Sequence, residues 1–179
     1  MSPPFSIRSA LPADAAALAA LGERTFREAF TDANDAHDMD AYVALAFGLP
    51  QQSAELGDSR VSCLLAESAE PSGRHAIGYA LLREVADETP PCVAGERPIE
   101  LARLYVDRAW HGRGVGEALM SAAVDAARAR GARTLWLGVW EHNPRARAFY
   151  ARWGFREVGE HAFVLGADRQ RDLLLARPI

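Results

Sequence analysis

Apolar positions along the chain change their spacing several times, and each change marks a predicted element. Phe5 to Arg8 reads as a short first strand. Pro12 and Asp14 then open an Ala- and Leu-rich helical pattern that runs to about Phe30. Thr31 to Asp40 breaks that pattern with polar and acidic residues. After it, Tyr42, Val43, Leu45, Ala46 and Phe47 predict a second short helix that stops at Gly48 and Pro50. Gln51 to Leu56 suggests one more helical turn. Val61 to Ala66 and Ala76 to Val85 are apolar or β-branched runs bounded by Ser, Gly and Pro, which predicts a hairpin of two strands. Asp87 to Pro98 reads as a Pro-containing loop.

Beyond it the pattern becomes strand (Ile99 to Val106), helix (Gly114 to about Arg130), strand (Thr134 to Trp140) and helix (Pro144 to about Trp153). Such alternation implies parallel strands joined by helical crossovers. Phe155 to Phe163 and Arg171 to Ala176 would close the sheet as antiparallel strands. The predicted fold is α/β (α+β): one domain over residues 1–179, with a mixed central sheet and helices on both faces. No repeat, low-complexity tract or linker divides it.

Composition narrows the function classes. With 179 residues, 49% of them apolar, the chain can bury a sizeable core. Lys and Arg number 20 against 24 Asp and Glu, a formal charge of -4, so no global basic field draws a phosphate backbone and nucleic acid is not an expected partner. Cys63 and Cys92 show neither redox nor zinc spacing, which fits a reducing cytoplasm. Met1 to Ala10 lacks the apolar core of a signal peptide, and Asp14 interrupts the apolar stretch from Leu11 to Leu21, so neither export nor a membrane partner is expected. His37, His75, His111, His142 and His161 have no metal-ligand spacing, so no metal is expected.

Candidate chemistry concentrates between the predicted strand ending at Val106 and the helix that follows. There the chain reads His111-Gly112-Arg113-Gly114-Val115-Gly116. Three glycines on alternate positions let the backbone approach a bulky anion, and the free amides and positive dipole end of the helix attract its charge. Arg113 would add a fixed positive charge. Tight packing alone is the competing reading of such a turn. Two nucleotide folds are excluded by context. A dinucleotide site places its glycines after the first strand, and a P-loop follows its last Gly with Lys and Ser/Thr, where Glu117 and Ala118 stand.

The turn resembles the cofactor signature Gln/Arg-x-x-Gly-x-Gly/Ala of the GNAT acetyltransferase superfamily, with His111 departing at the first position. Asn143, Ala146, Phe149-Tyr150 and Gly154-Phe155 are similar to its second cofactor motif. Trp136 to Glu141, Gly159 to Phe163, Leu165-Gly166 and Thr25 to Phe30 resemble spermidine/spermine N-acetyltransferases of the PaiA type, whereas Ala167 to Arg171 departs by carrying two Arg. The resemblance implies a GNAT-like domain with a parallel strand pair flanking the cofactor site. It also implies acetyl-CoA as cofactor, a small-molecule amine such as a polyamine as acceptor, direct attack in a ternary complex, and a homodimer at family level.

Residue roles follow partly from chemistry and partly from that resemblance. Strict alternation puts Glu100, Ala102, Leu104 and Val106 on one strand face and Ile99, Leu101, Arg103 and Tyr105 on the other. A carboxylate in a central strand is costly unless paired, and burial raises its pKa toward that of a general base. Glu100 is therefore either the base, as its position eleven residues before His111 implies by resemblance to the histone-acetylating branch, or the partner of an Arg at the strand end. By resemblance, Leu104, Tyr105 and Val106 offer backbone hydrogen bonds to the pantetheine arm, His111 to Gly116 hold the pyrophosphate, and Asn143 binds the cofactor. Tyr150 protonates the departing thiolate, unless Phe149 and Tyr150 are core aromatics. His161 lines the acceptor pocket or is structural. Glu28 is an acidic candidate for substrate binding. Asp32, Asp35, Asp38 and Asp40 either attract a polycation or form a solvated loop in which Asp38 or Asp40 caps a helix. Arg145, Arg147 and Arg152 either reach a cofactor phosphate or form a solvated helix face. Acetyltransferases for an antibiotic, amino-acid or protein amine, and a non-catalytic acyl-CoA-binding regulator, are the alternatives.

Overall fold

In a computed structural model, which describes residues 4–70 and 73–179, every strand enters one seven-stranded sheet. The first three residues of the Met1 to Ala10 segment lie outside the described residues. The strands are β1 (Phe5–Ser9), β2 (Val61–Glu70), β3 (Gly73–Arg83), β4 (Pro98–Val106), β5 (Thr134–Trp140), β6 (Arg156–Leu165) and β7 (Asp168–Pro178). Their spatial order is β1-β2-β3-β4-β5-β7-β6. Only β4 and β5 run parallel; the other neighbouring strands are antiparallel, so the sheet is mixed as predicted. The helices are α1 (Ala15–Phe30), α2 (Ala36–Ala46), α3 (Leu49–Gly57), α4 (Val115–Ala129) and α5 (Pro144–Arg152).

Helical periodicity explains what each long helix buries. In α1 the buried residues are Ala15, Leu18, Leu21, Gly22, Thr25 and Phe26, spaced by three and four, and they pack toward Leu65, Tyr79 and Leu81 on one face of the sheet. In α4, Val115, Leu119, Met120, Ala123, Val124 and Ala127 form the matching stripe against the other face, where Tyr150 and Phe155 join the same core. α1 to α3 thus cover one side and α4 and α5 the other. No helix among the described residues is long and apolar enough to cross a membrane.

Phe5 to Phe30 folds as the predicted strand and helix, and the departure from the predicted pattern begins at the acidic segment Thr31 to Asp40. The acidic segment is largely helical: α2 begins at Ala36, and Asp35 rather than Asp38 or Asp40 caps it by accepting from the amides of His37 and Asp38. Asp38 instead accepts from Ala167 N at 2.8 Å and ties α2 to the β6–β7 turn. Gly48 and Pro50 both end α2 and start α3, since Pro fits the first turn of a helix as well as it stops one.

Strict alternation in β4 fails as well. Leu82 pairs with Leu101 but Leu81 pairs with Arg103, so Ala102 is an extra residue and the strand bulges there. Beyond the bulge the faces exchange. Ile99, Leu101, Leu104 and Val106 face α4, whereas Ala102 and Tyr105 join the cluster under α1 and Arg103 turns to Glu55 of α3. Arg103 and Glu55 meet at 2.6 and 2.9 Å, with side chains only 14% and 11% exposed. Breaking this pair would strand a buried cation. Glu55→Gln is expected to cost about 3 kcal/mol, read as a shift of the urea unfolding midpoint at constant slope.

Candidate active site

β4 and β5 are paired only at Pro98–Thr134, Ile99–Leu135 and Glu100–Trp136. Past that point they splay, because the bulge at Ala102 turns β4 while β5 stays bound to β7 as far as Trp140. The unpaired inner edges open a cleft of about 850 Å³ that runs through the sheet plane. One half is lined by Leu104, Val106, His111, Gly112, Gly116, Asn143, Phe149 and Tyr150; the other by Glu28, Phe30, Tyr42, Tyr105, Trp140, Phe163 and Asp172.

The glycine turn forms the outer rim of the first half. Gly112 and Gly114 have φ of +73° and +82°, a region that L side chains enter at a cost. A Cβ on either would meet no protein atom within 4 Å, so the space in front of the turn is open. Gly114 is the N-cap of α4 and offers no side chain to its first-turn amides, which face the rim with the positive end of a 15-residue helix behind them. Gly116 differs: its φ is not positive, and a Cβ there would touch Phe149 at an ordinary 3.6 Å.

Cations gather at this rim. Arg108, Arg145 and Arg152 line the cleft, Arg152 lying over the Phe149 ring at 5.7 Å, and Arg113 lies over the Trp110 ring at 5.1 Å. Arg145 donates to His111 Nδ1 at 2.7 Å, which leaves the proton of a neutral imidazole on Nε2, 2.9 Å from the Val106 carbonyl oxygen. His111 thus joins the end of β4 to α5. Arg147 turns away to the Glu141 carbonyl. Donor set, open approach and charge all suit a polyphosphate-bearing ligand.

Tyr150 projects from α5 into the apolar core beside the splay, 9% exposed, its ring 5.5 Å from Phe149 and 5.6 Å from Phe155. Burial pushes its phenol well above the ordinary tyrosine pKa, so it holds its proton at neutral pH. Asn143 caps α5 by accepting from Ala146 N at 3.0 Å, which fixes the helix carrying Tyr150.

The opposite half is an aromatic chamber. Tyr42 stacks on Phe26 at 4.8 Å and meets Phe163 edge-on at 5.2 Å, while Trp140 meets Phe30 at 5.8 Å. Glu28 lies at its mouth, accepting weakly from Arg108 N at 3.4 Å. Asp32 also lines the cleft, whereas Asp35 is a cap, Asp38 binds Ala167 and Asp40 pairs with Arg27 at 2.8 Å. Three of the four acidic side chains therefore have structural partners.

Several anticipated residues stand elsewhere. Glu100 is bound by Arg83 at 2.9 and 3.1 Å and does not line the cleft, which is the ion-pair alternative for this side chain. Arg113, Gly114 and Val115 stand at the turn but outside the cleft lining, Val115 being buried. His161 lines a neighbouring cavity rather than the main cleft, and its Nε2 stands 3.8 Å from the cleft-lining Asp172. Asp172 itself has one sequence signal, a lone acid heading the apolar run Leu173 to Ala176 on an inner strand. Glu100→Gln is expected to lower stability by no more than about 1 kcal/mol, since Arg83 is largely solvated, and to leave the pH–rate profile unchanged; rates between pH 6 and 10 check this.

A sequence profile of the acetyltransferase (GNAT) family matches residues 22–155. An uncharacterized N-acetyltransferase of Mycobacterium tuberculosis is 34% identical over 166 residues, spanning 93% of this chain and 98% of the relative. Another, from Lactobacillus delbrueckii subsp. lactis, is 43% identical over 81 residues, 45% of this chain and about half (47%) of the relative's length. The crystal structure of PaiA N-acetyltransferase from Thermoplasma acidophilum in complex with coenzyme A superposes with a TM-score of 0.78 over 100% of both chains at 17% identity, a likeness of fold. The molecule is an N-acetyltransferase. More particularly, the chain belongs to the acetyltransferase (GNAT) family.

Proposed function

We propose that residues 1–179 form one acetyltransferase domain that moves the acetyl group of acetyl-CoA to a primary amine of a small molecule, with polyamines the first class to test. The observation that carries this reading is the single cleft joining a cationic glycine turn, through the β4–β5 splay, to an aromatic and acidic chamber. Phosphates suit the first end and an ammonium the second.

When bound, acetyl-CoA supplies a thioester carbonyl carbon for the amine and a thiolate leaving group. The amides and arginines around Gly112 to Gly116 would hold its pyrophosphate, and the free edge of β4 from Leu104 to Val106 would hydrogen-bond the pantetheine arm as an added strand. Tyr150 would give its proton to the departing sulfur and regain one from the nitrogen that forms the amide. The chamber would hold the substrate ammonium by cation–π contact with Tyr42, Trp140 and Phe163, with Glu28 and Asp32 at the mouth for a second positive charge.

Release of free thiol from acetyl-CoA in the presence of spermidine, spermine, aminoglycosides and peptide amines tests the reading. Thiol release with spermidine or spermine supports it. Acetyl-CoA binding by calorimetry without thiol release for any of these amines supports a non-catalytic sensor instead, and no binding by folded protein removes the coenzyme assignment.

A further inference from the structure

Among the described residues, three buried side-chain polar atoms lack a hydrogen-bond partner: Tyr79 Oη, Trp136 Nε1 and Asp172 Oδ1. Asp172 alone of the three lines the cleft. Its other oxygen, Oδ2, faces two things. One is His161 Nε2, 3.8 Å away on the adjacent strand β6; the other is Gly138 of β5, where a Cβ would stand 3.4 Å from Oδ2 and 3.3 Å from the imidazole. Gly138 is exposed to the cleft, so the absence of a side chain there leaves an opening in front of the carboxylate. Trp140, opposite Asp172 in register, and Tyr42 and Phe163 form the apolar walls around it.

Resting on the acetyl-transfer reading above, we propose that Asp172 is the base that takes the proton from the acceptor's ammonium group, and that His161 behind it passes this proton to solvent. The balance is simple. A primary ammonium carries three protons: one goes to Asp172 and on through His161, one returns to Tyr150 after Tyr150 has protonated the sulfur, and one stays on the amide. A C–N bond forms, a C–S bond breaks, and free thiol and one proton are released.

The surroundings tune both partners. Burial raises the Asp172 carboxyl above the ordinary aspartate value, with His161 opposing the shift. An ammonium entering the same apolar walls is pushed the opposite way, so the two affinities for the proton converge. The titratable groups that bear on Asp172 are His161 from β6 and Tyr42 from α2; β5 presents only Gly138 and Trp140. Arg171 projects from the other face of β7 to Glu141 and Glu160. His161 lines the neighbouring open cavity, which shares Trp140 and Gln170 with the cleft, so a proton delivered to it meets water.

The test follows thiol release from acetyl-CoA with spermidine between pH 6 and 10 for the wild type, Asp172→Asn and His161→Asn. Asp172→Asn is expected to lose roughly 10²- to 10³-fold in kcat/KM for the amine at pH 7.5, with acetyl-CoA affinity unchanged by calorimetry. The deficit should shrink about tenfold per pH unit, because only pre-formed free amine reacts and its fraction rises that way below a pKa of about 10. His161→Asn should show a smaller loss that added imidazole buffer relieves. Sign matters for stability: a carboxyl whose folded pKa is raised costs stability at pH values above it, so Asp172→Asn should melt no lower than the wild type at pH 7.5. A wild-type rate and profile in Asp172→Asn overturns the proposal while leaving the acetyltransferase reading intact. A wild type that acetylates no amine in the panel defeats that reading instead. The carboxyl resonance of Asp172, followed by carbon-13 NMR, then decides the present point without any acceptor. A midpoint at or below the ordinary value of about 3.9 overturns it; a raised midpoint that moves in His161→Asn supports it.

Discussion

Tyr150→Phe is expected to lower turnover by roughly 10²- to 10³-fold while the dissociation constant for acetyl-CoA stays within about twofold. The ring is held by Phe149 and Phe155, contacts that phenylalanine keeps, so the substitution removes only the hydroxyl. If that hydroxyl protonates the leaving sulfur, its loss falls on kcat. A phenol that packs as a core aromatic predicts the opposite: unaltered turnover and a melting temperature equal or higher. Because burial raises the phenol's pKa, the acid form persists across the neutral range, and no fall in rate from its ionisation is expected below pH 10. Steady-state thiol release together with calorimetry separates the outcomes, and unchanged turnover removes Tyr150 as the acid.

Gly114→Val should act on the other parameter. It forces a β-branched residue to φ near +82°, a conformation costing about 1–2 kcal/mol even for an unbranched side chain, so the turn must relax away from its present shape. The side chain also fills the open space before the α4 amides, and charge-assisted bonds to phosphate are worth about 1.5–3 kcal/mol each. Acetyl-CoA affinity is therefore expected to fall on the order of 100-fold, with a smaller effect on kcat at saturation. Gly116→Ala is the control, since its φ is not positive and its Cβ meets Phe149 at an ordinary distance. Equal losses in the two variants would show that simple crowding, rather than the left-handed turn, sets affinity.

These two residues were legible in the chain because their signals are local. Three glycines where a strand passes into a helix, and Tyr150 followed four residues later by Gly154-Phe155, occupy fixed spacings that survive whatever the rest of the fold does. The same holds for α1, α4, β5 and α5, whose ends follow from periodicity, Pro and Gly. In contrast, the acidic stretch before Tyr42 carries little local helix signal, because its four Asp lower helix propensity. Its helix is stabilised by the Asp35 cap, the Asp40–Arg27 pair and burial of Met39 and Val43, and of these only the cap is local.

The sequence by itself determined the class of the fold, the place of the glycine turn before α4 and the identity of the helix that carries Tyr150. Tertiary structure alone decided which carboxylate is free to act. Glu100 and Asp172 both sit on inner strands, but a bulge of one residue and the register of β3 bring Arg83 to Glu100, while the insertion of β7 between β5 and β6 sets Asp172 beside Gly138 and His161 at the open cleft. The physical reason is that a carboxylate's role depends on which cation reaches it and how much water it loses, and both are set by strand pairings between residues far apart in the chain.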